Sequence, residues 1–173
     1  MGIAEDLLNF WFGTADLTEM VEKRDIWFRS EPWFDAAIRR HFLPACKDAM
    51  SGELDSLKED TAGCLALILL LDQCPRNLFR HSAHAYSADP RALSIARHAI
   101  TEGYDADVSA WHRAFFYLPF EHSENIKDQN ISVTLFSQLG IESLLEAAEV
   151  HRDVIAKFGR FPHRNNDLGR KNT

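Results

Sequence analysis

The chain has 173 residues, 46% of them hydrophobic and 26% charged, with a formal net charge of −7. That size suits one domain over 1–173 with a substantial core, and the acidic balance argues against a general nucleic-acid footprint. The longest apolar run, Cys64 to Leu71, falls far short of the roughly 20 residues that cross a bilayer.

No basic, apolar leader opens the chain, so no secretory route is expected. Cys46, Cys64 and Cys74 are odd in number and lack a C-x-x-C spacing, which reads as reduced thiols in a cytoplasmic protein. Charge is uneven along the chain. Residues 150–173 hold six Arg or Lys against two Asp or Glu, a balance of +4 that leaves −11 on the other 149 residues. A basic end on an acidic body suits a small anion or an acidic partner.

In chain order the pattern is helical throughout. A short helix is expected from Ile3 to Phe12, stopped at Gly13, and a second from about Thr18 to Arg29. Pro32 can open a third, because its missing N–H is not needed there. Phe34, Ile38, Phe42, Ala45 and Ala49 then recur at helical spacing, and Pro44 should kink them. A fourth helix, from about Asp60 to Asp72, is apolar all round and belongs at the centre of the fold, with Pro75 ending it. Asp89-Pro90 reads as a cap followed by a first-turn proline, and Gly103 as that helix's stop. The next helix starts near Asp107 and ends at Pro119. Another runs from Ser123 or Glu124 to Leu139, and the last from about Ile141 to Phe158. About eight helices with short connections predict an all-α, single-domain array of antiparallel helix pairs. No fixed-period repeat is visible.

Four polar constellations stand out. In the last helix Leu144, Ala148, His151, Ile155 and Phe158 share one face, so His151 points inward while Asp153, about 200° around, points away. Asp72 and Gln73 close the apolar central helix, and Arg76 and Asn77 follow Pro75, placed to pair with Asp72 or to reach a ligand. His122, Ser123 and Glu124 follow Pro119, with Ser123 a candidate cap for the next helix. Their spacing is not that of a metallohydrolase, so the metal signal is weak. Finally Arg160, Arg164 and Arg170 fall within eleven residues, interleaved with Phe161, Pro162, His163 and Asn165. They could form a bidentate anion cluster or clamp the C-terminal segment onto acidic helices.

These motifs resemble one family. Leu71-Asp72-Gln73-x-Pro75-Arg76-Asn77, Tyr117-Leu118-Pro119-Phe120-x-His122-Ser123-Glu124, His151-Arg152-Asp153, the run Phe158 to Asn165 and Leu168-Gly169-Arg170 are similar in kind and order to the bacterial domain-of-unknown-function family numbered 924. The opening Phe10-Trp11-Phe12 fits as well. The chain departs from that pattern at Cys74, where Phe is usual, and at Glu121, where Met is usual. The resemblance spans nearly the whole chain and implies a tetratricopeptide-like arrangement of helices. It implies no reaction.

The leading functional expectation is a pocket for a small anionic ligand lined by Arg76, Asn77, His122, Glu124, His151, Arg160, His163, Arg164 and Asn165. Asp72, Gln73, Pro75 and Pro162 would support it. In this pocket Arg160 and Arg164 would grip the anion and Glu124 would orient a histidine. An enzyme would use the same residues, with His122, His163 and Glu124 as candidates for acid–base work. A non-catalytic interaction module is the third reading. No cofactor or metal is expected. A homodimer through Trp11, Phe12, Trp27 and Trp33 is conceivable from the aromatic pairs alone.

Overall fold

The computed structural model describes residues 2–173 and contains, among them, helices and turns without a strand. Helix α1 (Ile3–Phe12) ends where Gly13 adopts φ 90° and donates its N–H to the Asn9 carbonyl, a left-handed stop that glycine takes without a Cβ penalty. The second expected helix does not form. Residues Asp25–Trp27 make one 3₁₀ turn inside a loop. Its side chains are committed to the end of α1: Arg24 Nη1 donates to the Phe10 carbonyl at 2.9 Å and also to that of Trp11, and Trp27 Nε1 donates to the Trp11 carbonyl at 2.9 Å. The last carbonyls of a helix lack intrahelical partners, and this loop supplies them. Asp16 starts the loop by accepting from the Thr18 amide and hydroxyl.

Helix α2 (Pro32–Ser51) runs through Pro44 as one element. Helix α3 occupies residues 61–78 in three stretches: Thr61–Ile68, a π turn at Leu69–Gln73, and Cys74–Leu78. Asp60 caps it, accepting from the Gly63 amide at 2.8 Å. Every residue from Gly63 to Pro75 is buried, so α3 is the core helix, packed by α1, α2 and the two helices that follow. Pro75 does not end it. A proline inside an α-helix clashes with the carbonyl four residues back. Here the turn before it is widened, with the Cys74 amide bonded to the Leu69 carbonyl, and the helix continues past the ring.

Helices α4 (Asp89–Glu102), α5 (Ala110–Glu121), α6 (Ile126–Ser137) and α7 (Glu142–Phe158) pack consecutively, each on the next. Asp89 is the first residue of α4 rather than its cap. Helix α5 passes Pro119 by two residues, its end closed by the His122 amide donating to Leu118. Asn125, not Ser123, caps α6, accepting from the Lys127 amide at 2.9 Å, while Ser123 donates to Asp128 Oδ2 at 2.7 Å. Gly159 (φ 68°) ends α7, and the chain turns through Pro162–Arg164 back across the helix ends. Trp11, Phe12 and Trp27 are core residues, and of the aromatic set considered for a dimer only Trp33 is exposed, at 62%.

Candidate functional site

The C-terminal part of α3, the segment after it, the end of α5, the middle of α7 and the C-terminal turn converge on one cleft. It consists of two adjoining cavities of about 360 and 470 Å³ that share Ser30, Arg76, Arg80, His122 and His151. The first also takes in His81, Tyr86, His163, Arg164 and Asp167; the second adds Gln73, Asn77 and Glu121. A third cavity of about 410 Å³ lies beside them, with Tyr86, Asp89, Glu124 and Arg164 in its wall. His122 lines all three.

His122 stands at the C-terminal end of α5, and its Nδ1 lies 2.7 Å from Asp72 Oδ1. Asp72 is 1% exposed and sits in the π turn, where Gln73 Nε2 also donates to it. Arg76 reaches back one turn to the Asp72 carbonyl at 2.6 Å and forward to Asp89 with two bonds, at 2.8 and 3.0 Å. Arg164, 6% exposed, shares that carboxylate at 3.1 Å and donates to the His122 carbonyl at 3.0 Å. Its guanidinium is sandwiched between Tyr86 and Phe161, 4.6 Å from each ring centre. Arg80 is held by Asp35 through Nε at 2.6 Å and Nη2 at 2.9 Å, and Asn77 by the same carboxylate at 2.8 Å. Each guanidinium therefore has a carboxylate behind it that fixes its plane, as a pre-oriented binding group requires.

The remaining expected residues divide. His151 Nδ1 donates to the Ala147 carbonyl at 2.7 Å, with Glu121 Oε1 at 3.3 Å, and the ring packs edge-on to Phe161. His163 is exposed at the cleft rim. Glu124 orients no histidine: it accepts two bonds from Arg170, at 2.6 and 2.9 Å, and one from the Phe161 amide at 2.7 Å. It is the anchor of the C-terminal turn. The carboxylate that does orient a histidine is Asp72. Arg160 lines none of these cavities, and its side chain has no hydrogen-bonding partner among the described residues. Asn165 is buried beneath the turn, its Nδ2 3.4 Å from Thr173 Oγ1. Pro162 opens the turn that carries His163 and Arg164. The sequence reading did not select Arg80, Tyr86, Asp89 or Glu121. Among the described residues, no three His, Cys, Asp or Glu side chains are grouped to hold a metal ion.

Residues 7–173 match the model of a family described as bacterial protein of unknown function, DUF924. The chain belongs to this family. The DUF924 chain is similar to a solved structure from Agrobacterium tumefaciens, the protein of unknown function ATU0120, at 43% identity and a TM-score of 0.89, over 99% of this chain and 92% of that one. No curated protein matches it.

Burial and charge set the protonation states in the DUF924 cleft. Burial pushes the Asp72 carboxyl up, but Arg76, His122 and Gln73 outweigh it and hold it well below the usual range. His122 is lowered, by burial first and then by Arg76, despite Asp72 beside it. The pair is thus an ionised carboxylate accepting from a neutral imidazole, whose proton is on Nδ1 and whose Nε2 carries a lone pair. His151 and His163 are also lowered, His151 chiefly by burial and His163, though exposed, by partial loss of water around its ring, with Arg164 adding to both. Glu121 goes the other way: burial, then the Asp72 charge, pushes it up to about 8. Its Oε2 is buried with no partner, and at neutral pH it is a carboxylic acid beside an ionised carboxylate.

Proposed function

We propose that this cleft, in a tetratricopeptide-like helical array of the cytoplasm, binds a small anionic ligand. The carrying observation is the lining of the first cavity. Of its eleven residues, three are arginines (Arg76, Arg80, Arg164), four are histidines (His81, His122, His151, His163) and one, Asp167, is acidic. The carboxylates Asp35, Asp72 and Asp89 are absent from that lining and hold the guanidiniums from behind. Part of the lowering of His122, His151 and His163 comes from Arg76 and Arg164, positive charge that a bound anion would offset. Three free, buried cysteines suit a reducing compartment.

The test is a titration with inorganic phosphate followed by histidine NMR. Bound anion raises the titration points of His122, His151 and His163, and Arg80→Gln weakens the binding at least about tenfold, the scale of one lost charge-assisted contact. Arg160→Gln, outside the cavities, leaves it unchanged. Histidines that titrate identically with and without phosphate would refute the reading.

A further inference from the structure

We propose that the cleft hydrolyses phosphate monoesters, with His122 as the general base and Glu121 as the proton donor to the leaving group. The proposal rests on the anion reading and goes beyond it. Three observations carry it. First, His122 is fixed at Nδ1 by a carboxylate that is 1% exposed, and its Nε2 has no protein partner among the described residues. An imidazole held in that tautomer presents its lone pair outward, the requirement for taking a proton from water. Second, Glu121 is the preceding residue, 5% exposed, and lines the second of the two adjoining cavities, which shares Arg76, Arg80 and His122 with the first; its Oε1 lies 3.3 Å from His151 Nδ1. Two titratable groups whose surroundings push them to opposite states divide into base and acid. Third, Arg76, Arg80 and Arg164 all line the first cavity. One guanidinium suffices for a carboxylate. Three, each pre-oriented by a carboxylate behind it, suit the non-bridging oxygens of a phosphoryl dianion.

The step balances without a redox partner. A water oxygen bonds to phosphorus as its proton passes to His122 Nε2. The ester P–O bond breaks, and the leaving oxygen takes the Glu121 proton. The products are inorganic phosphate and an alcohol. His122 is left as imidazolium and Glu121 as carboxylate, and one proton returned from the first to the second through solvent resets the site. Asp72 is a positioning residue: it holds the tautomer and does not touch the ester. The phosphoryl group takes the first cavity, about 360 Å³, and the leaving group the adjoining one, about 470 Å³, that Glu121 lines; both are within the range of small-molecule sites.

The experiment uses the full chain with p-nitrophenyl phosphate and phenyl phosphate. The wild type releases phosphate from both, and His122→Ala lowers kcat by at least about 100-fold, the lower end of what a positioned base contributes. Glu121→Gln, nearly isosteric, slows phenyl phosphate much more than p-nitrophenyl phosphate, because nitrophenolate leaves without a proton. A purely structural role would slow both equally, and that result overturns the assignment of Glu121. Should His122→Ala fail to fold, the leaving-group comparison still decides. No phosphate release by the wild type, or equal release by His122→Ala, overturns the proposal. Phosphate binding seen by histidine NMR without turnover removes hydrolysis and spares the anion site; neither binding nor turnover removes both.

Discussion

Glu121 gives the sharpest stability prediction. Its carboxyl titrates near 4.5 in an unfolded chain and at about 8 in the fold. The folded state therefore holds a proton that the unfolded state releases. Where a folded pKa is raised, the associated stability is fully present below the unfolded value and is lost as pH rises through the folded one. The window here is pH 4.5 to about 8. At about 1.4 kcal/mol per pH unit the whole gap sets an upper bound near 5 kcal/mol. Solvent rearrangement around the ionised group reduces that, so we expect a loss of about 2–5 kcal/mol. The lowered histidines act oppositely: their stability is present above 6.5 and falls as pH drops. The two effects overlap in the wild type, but the histidine contribution is common to both proteins and cancels in a difference with Glu121→Gln. Glu121→Gln keeps the shape and abolishes the titration. Urea unfolding of both proteins at pH 5.5, 7 and 8.5 should show wild type losing ground steadily to the variant as pH rises. Parallel curves, within about 0.5 kcal/mol, would mean that Glu121 ionises freely in the folded protein and that its burial does not control it.

Two further substitutions probe the frame of the site. Gly63→Ala puts a Cβ 2.2 Å from the Leu57 carbonyl oxygen; that oxygen is backbone and cannot swing aside, so thermal or urea unfolding should register a loss of at least about 2 kcal/mol. Glu124 and Arg170 form a two-bond pair, about a quarter exposed on each side, that fastens the C-terminal turn. A double-mutant cycle with alanine at both positions should return a coupling of about 1 kcal/mol, reduced at high salt; no coupling would mean that the turn is held by Arg164 stacking instead.

The all-α fold was legible because its signals are local. Gly13, Gly103 and Gly159 stop helices where the pattern breaks, and the apolar run from Cys64 to Leu71 could only belong to a core helix. The misread elements have separate causes, one long-range and two local. Residues 18–29 have helical composition, yet Arg24 and Trp27 are spent on the carbonyls of α1. Pro75 and Pro119 look like stops, but Pro75 lies behind a widened turn and Pro119 two residues from a helix end. In the cleft, Arg76, His122, His151, His163 and Arg164 were visible as polar residues in packed, motif-dense segments, and the structure brings them together. Their pairing was not visible. Asp72 and His122 are 50 residues apart, and no spacing rule links them. Glu124 sat nearer in sequence and drew the orienting role that belongs to Asp72.

The π turn explains why even the short-range geometry was out of reach. Periodicity assigns faces by rotating about 100° per residue along an unbroken α-helix. A π turn inserts one extra residue, so every side chain after Leu69–Gln73 is rotated by about one residue's worth relative to the apolar run before it. Arg76, Asn77 and Arg80 therefore cannot be placed by extending the pattern of residues 61–71. The same widening accommodates Pro75 and brackets Asp72 between Gln73 and Arg76. The most buried carboxylate of the cleft is thus carried by a π turn inside the core helix. π turns recur at functional sites for this reason: the fold tolerates the irregular backbone because it places polar groups that a regular turn would leave elsewhere.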